Sequence, residues 1–428
     1  MLPSTGTGGT VMLGMPNIAP EAERRRRIDP AFWLPASTIL VGAYNQAAIG
    51  VVLGVVETRW HLSPGQVSVL ATAEVGGMLL GSPLAGLVAD RFGRRRVFLA
   101  DLGVFVLAAL ASGLAPGFAT LVVARLVLGL AVGADYTVSL VYLAESAPSH
   151  RRGRWMAAGL WGANLGMLSA YGLGAVLLRA SWGWRGVLVA GAFLALPGYA
   201  ARRRVAESPA FHRSPHRGAS AITIARHGVS GANLRRQVVP MLAAFSYQTG
   251  DQGLTLFLPV ILAEVLTAKA AGGATAALAV KALTIPASLA TVFLVDRLGR
   301  RRLQVGGFAL RGLALATVAA GIAMSWLGPL AVAALLALAL AAGASGPDKT
   351  TAIVPTEVVG DGTRGIGQGL TQATGRLGGM VGPVGYVFLA HAFGLGAGLA
   401  WFACFSLFGG FVSRYLPETS GVELDLIT

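Results

Sequence analysis

Long apolar runs alternate with short arginine-rich segments along most of this chain. A helix that crosses a membrane needs about 20 mostly apolar residues, and the runs have that length. The pattern therefore predicts twelve membrane-spanning helices, at residues 32–57, 68–89, 97–115, 118–144, 154–178, 184–201, 237–264, 274–295, 303–325, 328–355, 365–390 and 394–415.

The second half of the chain repeats motifs of the first half. The segment "GLVADRFGRRRV" at 86–97 returns as "TVFLVDRLGRRRL" at 291–303, and "GADYTVSLVYLAESAPSHRRG" at 133–153 returns as "GPDKTTAIVPTEVVGDGTRG" at 346–365. Six-helix repeats, each an inverted 3+3 pair, are the architecture of alternating-access transporters. We therefore predict an all-α membrane protein with twelve transmembrane helices in two six-helix bundles.

A long polar segment between the sixth and seventh predicted helices separates the two halves. It predicts the following division of the chain: a cytoplasmic N-terminal tail at 1–31, a six-helix bundle at 32–201, a cytoplasmic linker at 202–236, a second bundle at 237–415 and a cytoplasmic C-terminal tail at 416–428.

Composition and charge agree with a membrane protein. Hydrophobic residues make up 54% of the chain. Charged residues make up 12%, whereas about a quarter of the residues of a soluble domain are charged. The formal charge of +15 lies mainly in arginine clusters between the apolar runs, where cations mark cytoplasmic loops rather than a nucleic-acid surface. The first thirty residues lack the charge order of a cleavable signal peptide. We expect both termini in the cytoplasm and a bacterial-type inner membrane.

The sequence contains no sign of enzymatic chemistry. It has no P-loop, no dinucleotide-binding glycine pattern, no HExxH and no nucleophile elbow. Its one cysteine, Cys404, excludes a disulfide framework. We expect neither a cofactor nor a metal, and the energy for transport must come from an ion gradient or from the solute's own gradient.

Ionisable side chains inside the predicted helices are the strongest candidates for function. Such a side chain costs on the order of 2.5–3.5 kcal/mol at the bilayer centre, so it needs a wet cavity or a partner. Asp101 and Arg311 are expected near cytoplasmic helix ends, where a long arginine can reach water. The remaining four acids and four bases can balance each other: Glu74, Arg125, Asp135, Asp251, Lys281, Asp348, Lys349 and Arg376.

Asp348 and Lys349 are adjacent in the tenth predicted helix. Neighbouring helical residues do not face each other, so we expect these two not to pair. Lys349 would then reach Asp135 or Asp251, and Asp348 would reach Arg376. A lysine that is only partly satisfied could bind an anionic substrate while the carboxylate exchanges protons. The alternative is a permanent salt bridge between helices.

Asp135 is the first candidate for proton coupling. With Ser139 and Tyr142 it follows the i, i+4, i+7 spacing and shares one helix face. Burial favours the neutral form of a carboxylic acid, so protonation can neutralise such a group for the return step of a transport cycle. The alternative is static pairing of Asp135 with Lys349 or Arg376.

The paired D-R-x-G-R-R loops resemble the major facilitator superfamily, over residues 32–425. The E-x6-R-G pairs and "LPETSGVEL" are similar to its sugar-porter branch. A further likeness is to phosphate:proton symporters, whose fourth helix carries G-D-Y-x-x-S-x-x-x-x-x-E and whose tenth carries G-P-N-x-T-T. This chain matches those patterns at Gly133, Asp135, Tyr136, Ser139 and Glu145, with Ala134, Asp348, Lys349 and Arg376 as departures or variable positions.

The resemblance implies a central cavity lined by the first, fourth, seventh and tenth helices. Asn45 replaces an aspartate that these symporters usually carry, which removes one family proton site. The candidate solute ligands are Lys349, Arg376, Tyr136, Ser139, Tyr142, Tyr44, Asn45, Tyr247, Gln248, Gln252, Trp161 and Asn164, and the proton-coupling candidates are Asp135, Asp348, Asp251 and Glu74. The alternatives are helix packing for the polar residues of the fifth and seventh helices, and a helix-to-helix latch for Glu74.

The loop motifs imply gating. By resemblance, matched acids and arginines at cytoplasmic helix ends form charge networks that close the inner face and break when it opens. The predicted gate residues are Asp90, Arg91, Glu145, Arg152, Asp296, Arg297, Glu357 and Arg364. Topological arginines alone would not explain the matched acids.

These observations predict a secondary active transporter that imports a small polar or anionic solute with protons by alternating access. The expected partners are the solute, protons and the lipid bilayer, and the expected state is a monomer. A phosphate:proton symporter is one alternative. A sugar or organic-solute uniporter and a proton antiporter that exports are others, and a non-transporting receptor would not need the buried charges.

Overall fold

The structure is a computed structural model that describes residues 30–147, 149–178, 183–202, 223, 230–266, 276–277, 279–359 and 363–421. Within those residues we number thirteen α-helices in chain order. They are α1 (Pro30–Trp60), α2 (Pro64–Phe92), α3 (Arg94–Leu114), α4 (Phe118–Ser146), α5 (Arg152–Leu177), α6 (Gly183–Arg202), α7 (Gly231–Val265), α8 (Thr284–Leu298), α9 (Arg300–Ala323), α10 (Pro329–Ala344), α11 (Pro347–Glu357), α12 (Arg364–Phe393) and α13 (Leu395–Ser413).

The helices correspond to the twelve predicted spans, but the eighth span is interrupted by a turn at Leu283 before α8 begins, and the tenth is broken in two. The tenth span is divided into α10 and α11 at Ser345–Gly346, and Pro347 opens α11. Proline lacks a backbone N–H and suits the first turn of a helix, which explains why α11 starts there. In the part of the chain that the structure describes, seven helices are long and apolar enough to cross a membrane.

The predicted tails and linker are only partly described. Residues 1–29, and 203–222 and 224–229 of the linker, lie outside the described residues. Helix α7 begins at Gly231, so it extends into the predicted linker. Residues 416–421 of the predicted C-terminal tail pack against the second half of the molecule, as detailed below.

Each half has its own apolar core. Tyr44, Val52 and Trp184 belong to a buried cluster that joins α1, α4 and α6. Large apolar side chains also lie on the outside, where Leu107 is 69% exposed and Leu330 81% exposed. Exposed apolar surface of this extent suits hydrocarbon and not water.

The repeat is visible in the backbone as well as in the sequence. Gly93 separates α2 from α3 with φ +96° and ψ 156°, and Gly299 separates α8 from α9 with φ +88° and ψ 156°. Only glycine adopts such positive φ values readily. Each turn places the next arginine, Arg94 or Arg300, at the same point of its half.

The two halves meet near the arginine-rich end of the bundle. The α2 backbone at Gly86 lies directly against the α12 backbone at Gly365, and Gly369 lies against Ser82. A side chain at any of these glycines would collide with the opposite backbone. The backbones of the two halves can touch at this end because α2 and α12 both carry small residues there.

Candidate functional site

Two clusters of buried charges lie at the arginine-rich end. The first is named gate cluster N and consists of Asp90, Arg94, Glu145 and Arg364. Arg94 Nη2 lies 2.9 Å from Asp90 Oδ1 and 3.0 Å from Glu145 Oε1, and Arg364 Nη1 lies 3.4 Å from the same Glu145 oxygen. All four side chains are at most 1% exposed, so the charges depend on each other for stabilisation.

The second cluster, named gate cluster C, consists of Asp296, Arg300, Glu357 and Arg152. Arg300 contacts Asp296 through Nη1 at 2.8 Å and Glu357 through Nη2 at 3.0 Å and Nε at 3.3 Å. Arg152 Nη1 lies 3.9 Å from Glu357 Oε1. The sequence repeat thus becomes a repeat of charge networks.

Both clusters cross the boundary between the halves. The carboxylate of Asp90, on α2, accepts hydrogen bonds from Gly365 N at 3.1 Å and Ile366 N at 2.9 Å, at the start of α12. In the matching position Asp296 accepts one from Arg154 N at 2.8 Å, at the start of α5. Negative charge is stabilised at a helix N-terminus, so each aspartate binds the opposite half. In this conformation the arginine-rich end is closed.

Two of the predicted gate arginines are not in these clusters. Arg91 lies 4.9 Å from the ring centroid of Phe92 and is half-buried, and Arg297 is exposed. Arg94 and Arg300 make the contacts that were predicted for Arg91 and Arg297. The glycine turn redirects the chain so that the arginine four residues after each aspartate folds back onto it, whereas the adjacent arginine points elsewhere. Equal spacing of Arg94 and Arg300 in the repeat was a signal that could have identified them.

The C-terminal segment completes gate cluster C and was not predicted to do so. Glu418 accepts hydrogen bonds from Arg300 N at 2.9 Å and Arg301 N at 3.2 Å. Ser420 Oγ accepts one from Arg300 Nη1 at 3.0 Å, and the hydroxyl of Thr419 donates to Glu357. These residues cap α9 and brace the cluster from within the second half.

Asp348 and Lys349 lie near the middle of the bundle and form an ion pair. Lys349 Nζ is 2.6 Å from Asp348 Oδ2 and 2.6 Å from Ser288 Oγ, so our expectation that the two neighbours would not pair is wrong. The reason is the break at Gly346, which places both residues in the first turn of α11, where the long lysine folds back. Asn164 Nδ2 also contacts Ser288 Oγ, at 3.2 Å.

The exposure of this pair is uneven. The Asp348 side chain is 38% exposed and that of Lys349 only 1%. Asp348 interacts electrostatically with Tyr136 of the first half and with Tyr247 of the second half. The carboxylate is therefore the accessible member of the pair, and the ammonium is buried.

Arg376 approaches the first half rather than Asp348. Its guanidinium lies 5.9 Å from the ring centroid of Tyr136 and interacts electrostatically with Glu74, and within the described residues its Nε has no hydrogen-bond partner. The expected Arg376–Asp348 ion pair is not formed, because Lys349 occupies the carboxylate.

Asp135 lies within a short chain of hydroxyl groups. Ser139 Oγ donates to Asp135 Oδ1 at 3.5 Å, and Ser139 Oγ lies 3.3 Å from Thr38 Oγ1 on α1. The partners that we proposed for Lys349 were Asp135 and Asp251, and Lys349 contacts neither of them. Asp135 remains a buried acid, 7% exposed, beside neutral hydroxyls.

Asp251 pairs with the ninth helix. Arg311 Nη1 lies 3.3 Å from Asp251 Oδ1, and its guanidinium lies 5.2 Å from the ring centroid of Tyr247. Arg311 is 1% exposed, so the prediction that it reaches water at a helix end is wrong. Hydropathy shows that a residue is inside a span but not which way it faces. Gln252 Nε2 donates to Gln248 Oε1 at 3.4 Å, one helical turn away.

Glu74, on α2, forms a buried ion pair with Arg125, on α4. The other contact of that guanidinium is the backbone oxygen of Asn45, at 2.8 Å from Nη2. The Asn45 side chain donates to Val41 O at 3.1 Å, and its Oδ1 has no hydrogen-bond partner in the described residues. The site where an aspartate was expected by resemblance therefore holds an amide, with an acid and a base beside it.

Two predicted solute ligands belong to the protein core. Tyr44 is fully buried and donates to Val187 O at 2.8 Å. Tyr142 packs edge-on against Phe98, with ring centroids 5.6 Å apart, in a cluster of apolar side chains. Both rings face apolar neighbours in this conformation, and their role as solute ligands stays a prediction. Trp161 is half-buried and packs against an apolar cluster.

The described side chains include no group of three or more His, Cys, Asp and Glu residues that could hold a metal ion. We name Glu74, Asp135, Asp251 and Asp348, with the side chains that contact them, the central layer. The central layer and the nearby amides of Gln248 and Gln252 offer carboxylates, amides and hydroxyls that can bind a polar solute. Its buried acids can exchange protons, and its paired cations can stabilise their ionised forms.

Two family models match the chain. The Major Facilitator Superfamily model matches residues 36–287, and the model described as "Sugar (and other) transporter" matches residues 228–428. Among solved structures, the proton:xylose symporter XylE bound to 6-bromo-6-deoxy-D-glucose is similar, with a TM-score of 0.81 and 20% identity. That likeness covers 93% of this chain and 98% of the other.

Curated relatives include a "D-xylose-proton symporter-like 1" of Arabidopsis thaliana, 29% identical over 36% of this chain and 32% of the relative. The "Probable inorganic phosphate transporter 1-6" of the same plant is 24% identical over 85% of each chain. The chain spans about a third or less of the length of the first curated relatives that it matches.

Proposed function

Since this chain belongs to the Major Facilitator Superfamily, we propose that it imports a small polar solute together with protons by alternating access. It is a multi-pass membrane protein with the twelve-helix fold of that superfamily. The observation that supports the proposal most directly is a set of ionisable side chains inside the spans of both halves, Glu74, Asp135, Asp251 and Asp348 with their partners, in a molecule whose halves contact each other at one end. A protein that only anchors a partner has no need of such side chains.

The proposed proton sites are the four acids of the central layer. Asp135 is the first of them, because it is buried and accepts a hydrogen bond from Ser139, whose hydroxyl also contacts Thr38. Asp348, Asp251 and Glu74 each contact a cation, Lys349, Arg311 or Arg125. Protonation of these would have to release that cation, which couples proton binding to rearrangement.

A neutral polyhydroxylated solute of the sugar type is the first substrate class. Lys349 and Arg311 are neutralised by carboxylates, while Asp348 and Asp251 are 38% and 24% exposed. Partly exposed carboxylates accept hydrogen bonds from hydroxyl groups, and the side-chain amides of Gln248 and Gln252 both accept and donate them. Relatives named as D-xylose transporters support this class.

A small anion such as phosphate is the second candidate. One observation favours it: Arg376 is buried, lies over Tyr136 and has no acid in an ion pair among the described residues. An anion could supply that missing partner. The likeness to a probable inorganic phosphate transporter over 85% of the chain supports the same possibility.

The proposed orientation places the arginine-rich end in the cytoplasm of a bacterial-type inner membrane, with both termini inside. Arginines in the short loops of a membrane protein lie on the cytoplasmic side and set its orientation. The proposed units are the two bundles at 32–201 and 237–415, working as a monomer without a cofactor.

The test is uptake by purified protein in proteoliposomes, with radiolabelled D-xylose and radiolabelled phosphate as separate probes. We expect accumulation of one of them when the lumen is alkaline, and its loss with a protonophore. Asp135→Asn should abolish gradient-driven accumulation and retain exchange of labelled for unlabelled solute, since the amide cannot carry the proton. Full accumulation by this variant would exclude Asp135 as the coupling acid. Empty liposomes are the control.

A further inference from the structure

A chain of polar contacts crosses between the halves and ends at the Asp348–Lys349 pair. Asn164 Nδ2, on α5, lies 3.2 Å from Ser288 Oγ on α8, and Lys349 Nζ, on α11, lies 2.6 Å from the same oxygen. Lys349 then contacts Asp348 at 2.6 Å. We name Asn164, Ser288 and Lys349 the polar bridge. Only Asn164 belongs to the first half.

Ser288 occupies the centre of this bridge. Its side chain is buried, with the residue 1% exposed, and its oxygen accepts from both neighbours. A hydroxyl oxygen has two acceptor sites, so both are used here. A lysine ammonium that is 1% exposed needs such acceptors, because an unsatisfied charge in an apolar interior is costly. The serine therefore fixes the position of the ammonium and also binds the opposite half.

The surroundings of the bridge are apolar and shared. One buried cluster contains Leu160 of α5, Val292 of α8 and Ile353 of α11, among others. Apolar surfaces of this kind can separate and close again without directional bonds. A buried hydrogen bond between them is directional and is lost on separation.

We propose that Ser288 is a positioning residue that links the Asp348–Lys349 pair of the solute site to the contact between the halves, through Asn164. The bridge stabilises the conformation that is closed at the arginine-rich end, in addition to the two gate clusters. A change at the solute site that withdraws the ammonium from Ser288 alters the acceptor through which Asn164 contacts the second half, while its other acceptor, Trp161 O at 3.2 Å, lies within the first half. This inference rests on the alternating access of the proposed function.

The experiment measures distances between spin labels on the two halves. Labels are attached to cysteines at the exposed positions Arg96 and Arg302, in a background where Cys404, the one native cysteine, is serine. The protein is placed in lipid nanodiscs, in acidic and in alkaline buffer. Two distance populations, short and long, report the closed and open arginine-rich end.

Ser288→Ala is expected to raise the ratio of open to closed molecules about two- to tenfold, the effect of one buried hydrogen bond. Asn164→Ala should raise it to a similar degree. The double variant should match Ser288→Ala alone, because the two changes remove the same contact. Ser288→Thr keeps the hydroxyl and should restore the original ratio.

Thr291→Val is the matched control. Thr291 lies on the same helix, is fully buried and donates to Ala344 O at 3.1 Å, which keeps its contact within the second half. It should leave the ratio unchanged. If Ser288→Ala shifts the ratio no more than Thr291→Val, or if the effects of Ser288→Ala and Asn164→Ala add in full, the bridge is overturned.

The outcome also separates this inference from the proposed function. A native chain with one distance in both buffers and in the presence of D-xylose or phosphate would contradict alternating access, and with it the inference. Two populations that respond to buffer or solute but not to Ser288→Ala would leave the proposed function standing and remove the bridge alone.

Discussion

Gate cluster N and gate cluster C occupy matching positions of the repeat but distribute their contacts differently. In cluster N, Arg94 uses one nitrogen for both Asp90 and Glu145. In cluster C, Arg300 uses its full guanidinium, with two nitrogens on Glu357 and a third on Asp296. A bidentate contact of this kind is stronger and better oriented than a single one.

The contacts across the halves show the opposite trend. Asp90 accepts two backbone hydrogen bonds from the second half, and Arg364 lies 3.4 Å from Glu145. Asp296 accepts one backbone hydrogen bond from the first half, and Arg152 lies at 3.9 Å from Glu357. Cluster N therefore holds the two halves together more than cluster C does.

The difference originates in the C-terminal segment. Thr419, Ser420 and Glu418 bind Glu357, Arg300 and the start of α9. Cluster C is thus braced inside its own half. Two copies of one motif can serve distinct purposes when a further segment packs on only one of them.

The largest effect is expected from Asp90→Asn. The change removes the charge from a buried ion pair and weakens two backbone contacts to α12, and breaking a buried pair costs about 3–5 kcal/mol. The open population measured with the Arg96 and Arg302 labels should rise strongly. Asp296→Asn is the matched control and should open the end less, since one backbone contact is affected. Equal shifts for the two variants would refute the asymmetry.

An intermediate effect is expected from Arg364→Gln. The side chain is fully buried and contacts Glu145 across the halves, and a hydrogen bond to a charged group contributes about 1.5–3 kcal/mol. The same distance measurement should show more opening than for Arg152→Gln, whose contact with Glu357 is longer. More opening for Arg152→Gln than for Arg364→Gln would reverse our ranking of the clusters.

The smallest effect is expected from Glu418→Ala. Its carboxylate accepts from Arg300 N and Arg301 N at an exposed position, so its loss should cost about 1 kcal/mol of stability. The midpoint of thermal unfolding in detergent should fall by a few degrees while the distance ratio changes little. Glu57→Ala, an exposed acid at the other end of the bundle, is the control and should leave the midpoint unchanged. Strong opening by Glu418→Ala would show that the brace also acts between the halves.

Several parts of the site followed from the sequence. The repeat identified Asp90, Asp296, Glu145 and Glu357 as one set, and all four are in the gate clusters. The arginine of each aspartate pair was misassigned, because a glycine turn decides which of several adjacent arginines folds back. The sequence shows that a turn is present but not the direction in which it sends each side chain.

Other parts depended on backbone details that a helical pattern conceals. The rule that neighbouring helical residues do not face each other fails for Asp348 and Lys349, since a helix start lies at Pro347. Ser288 was overlooked because one serine in an apolar helix has no sequence signal. Its importance comes from Asn164 and Lys349, which approach it from other helices.

The sequence by itself determined the spans, the two-fold repeat and the set of charges that must be stabilised inside the membrane. These depend on local periodicity and on the cost of burying a charge, which act on each segment separately. Only the tertiary structure decided the partners. Asp90 binds the backbone of Ile366, 276 positions away, and Arg364 binds Glu145, 219 positions away. Many pairings of buried charges satisfy the same composition, and the packing of the two halves selects one of them.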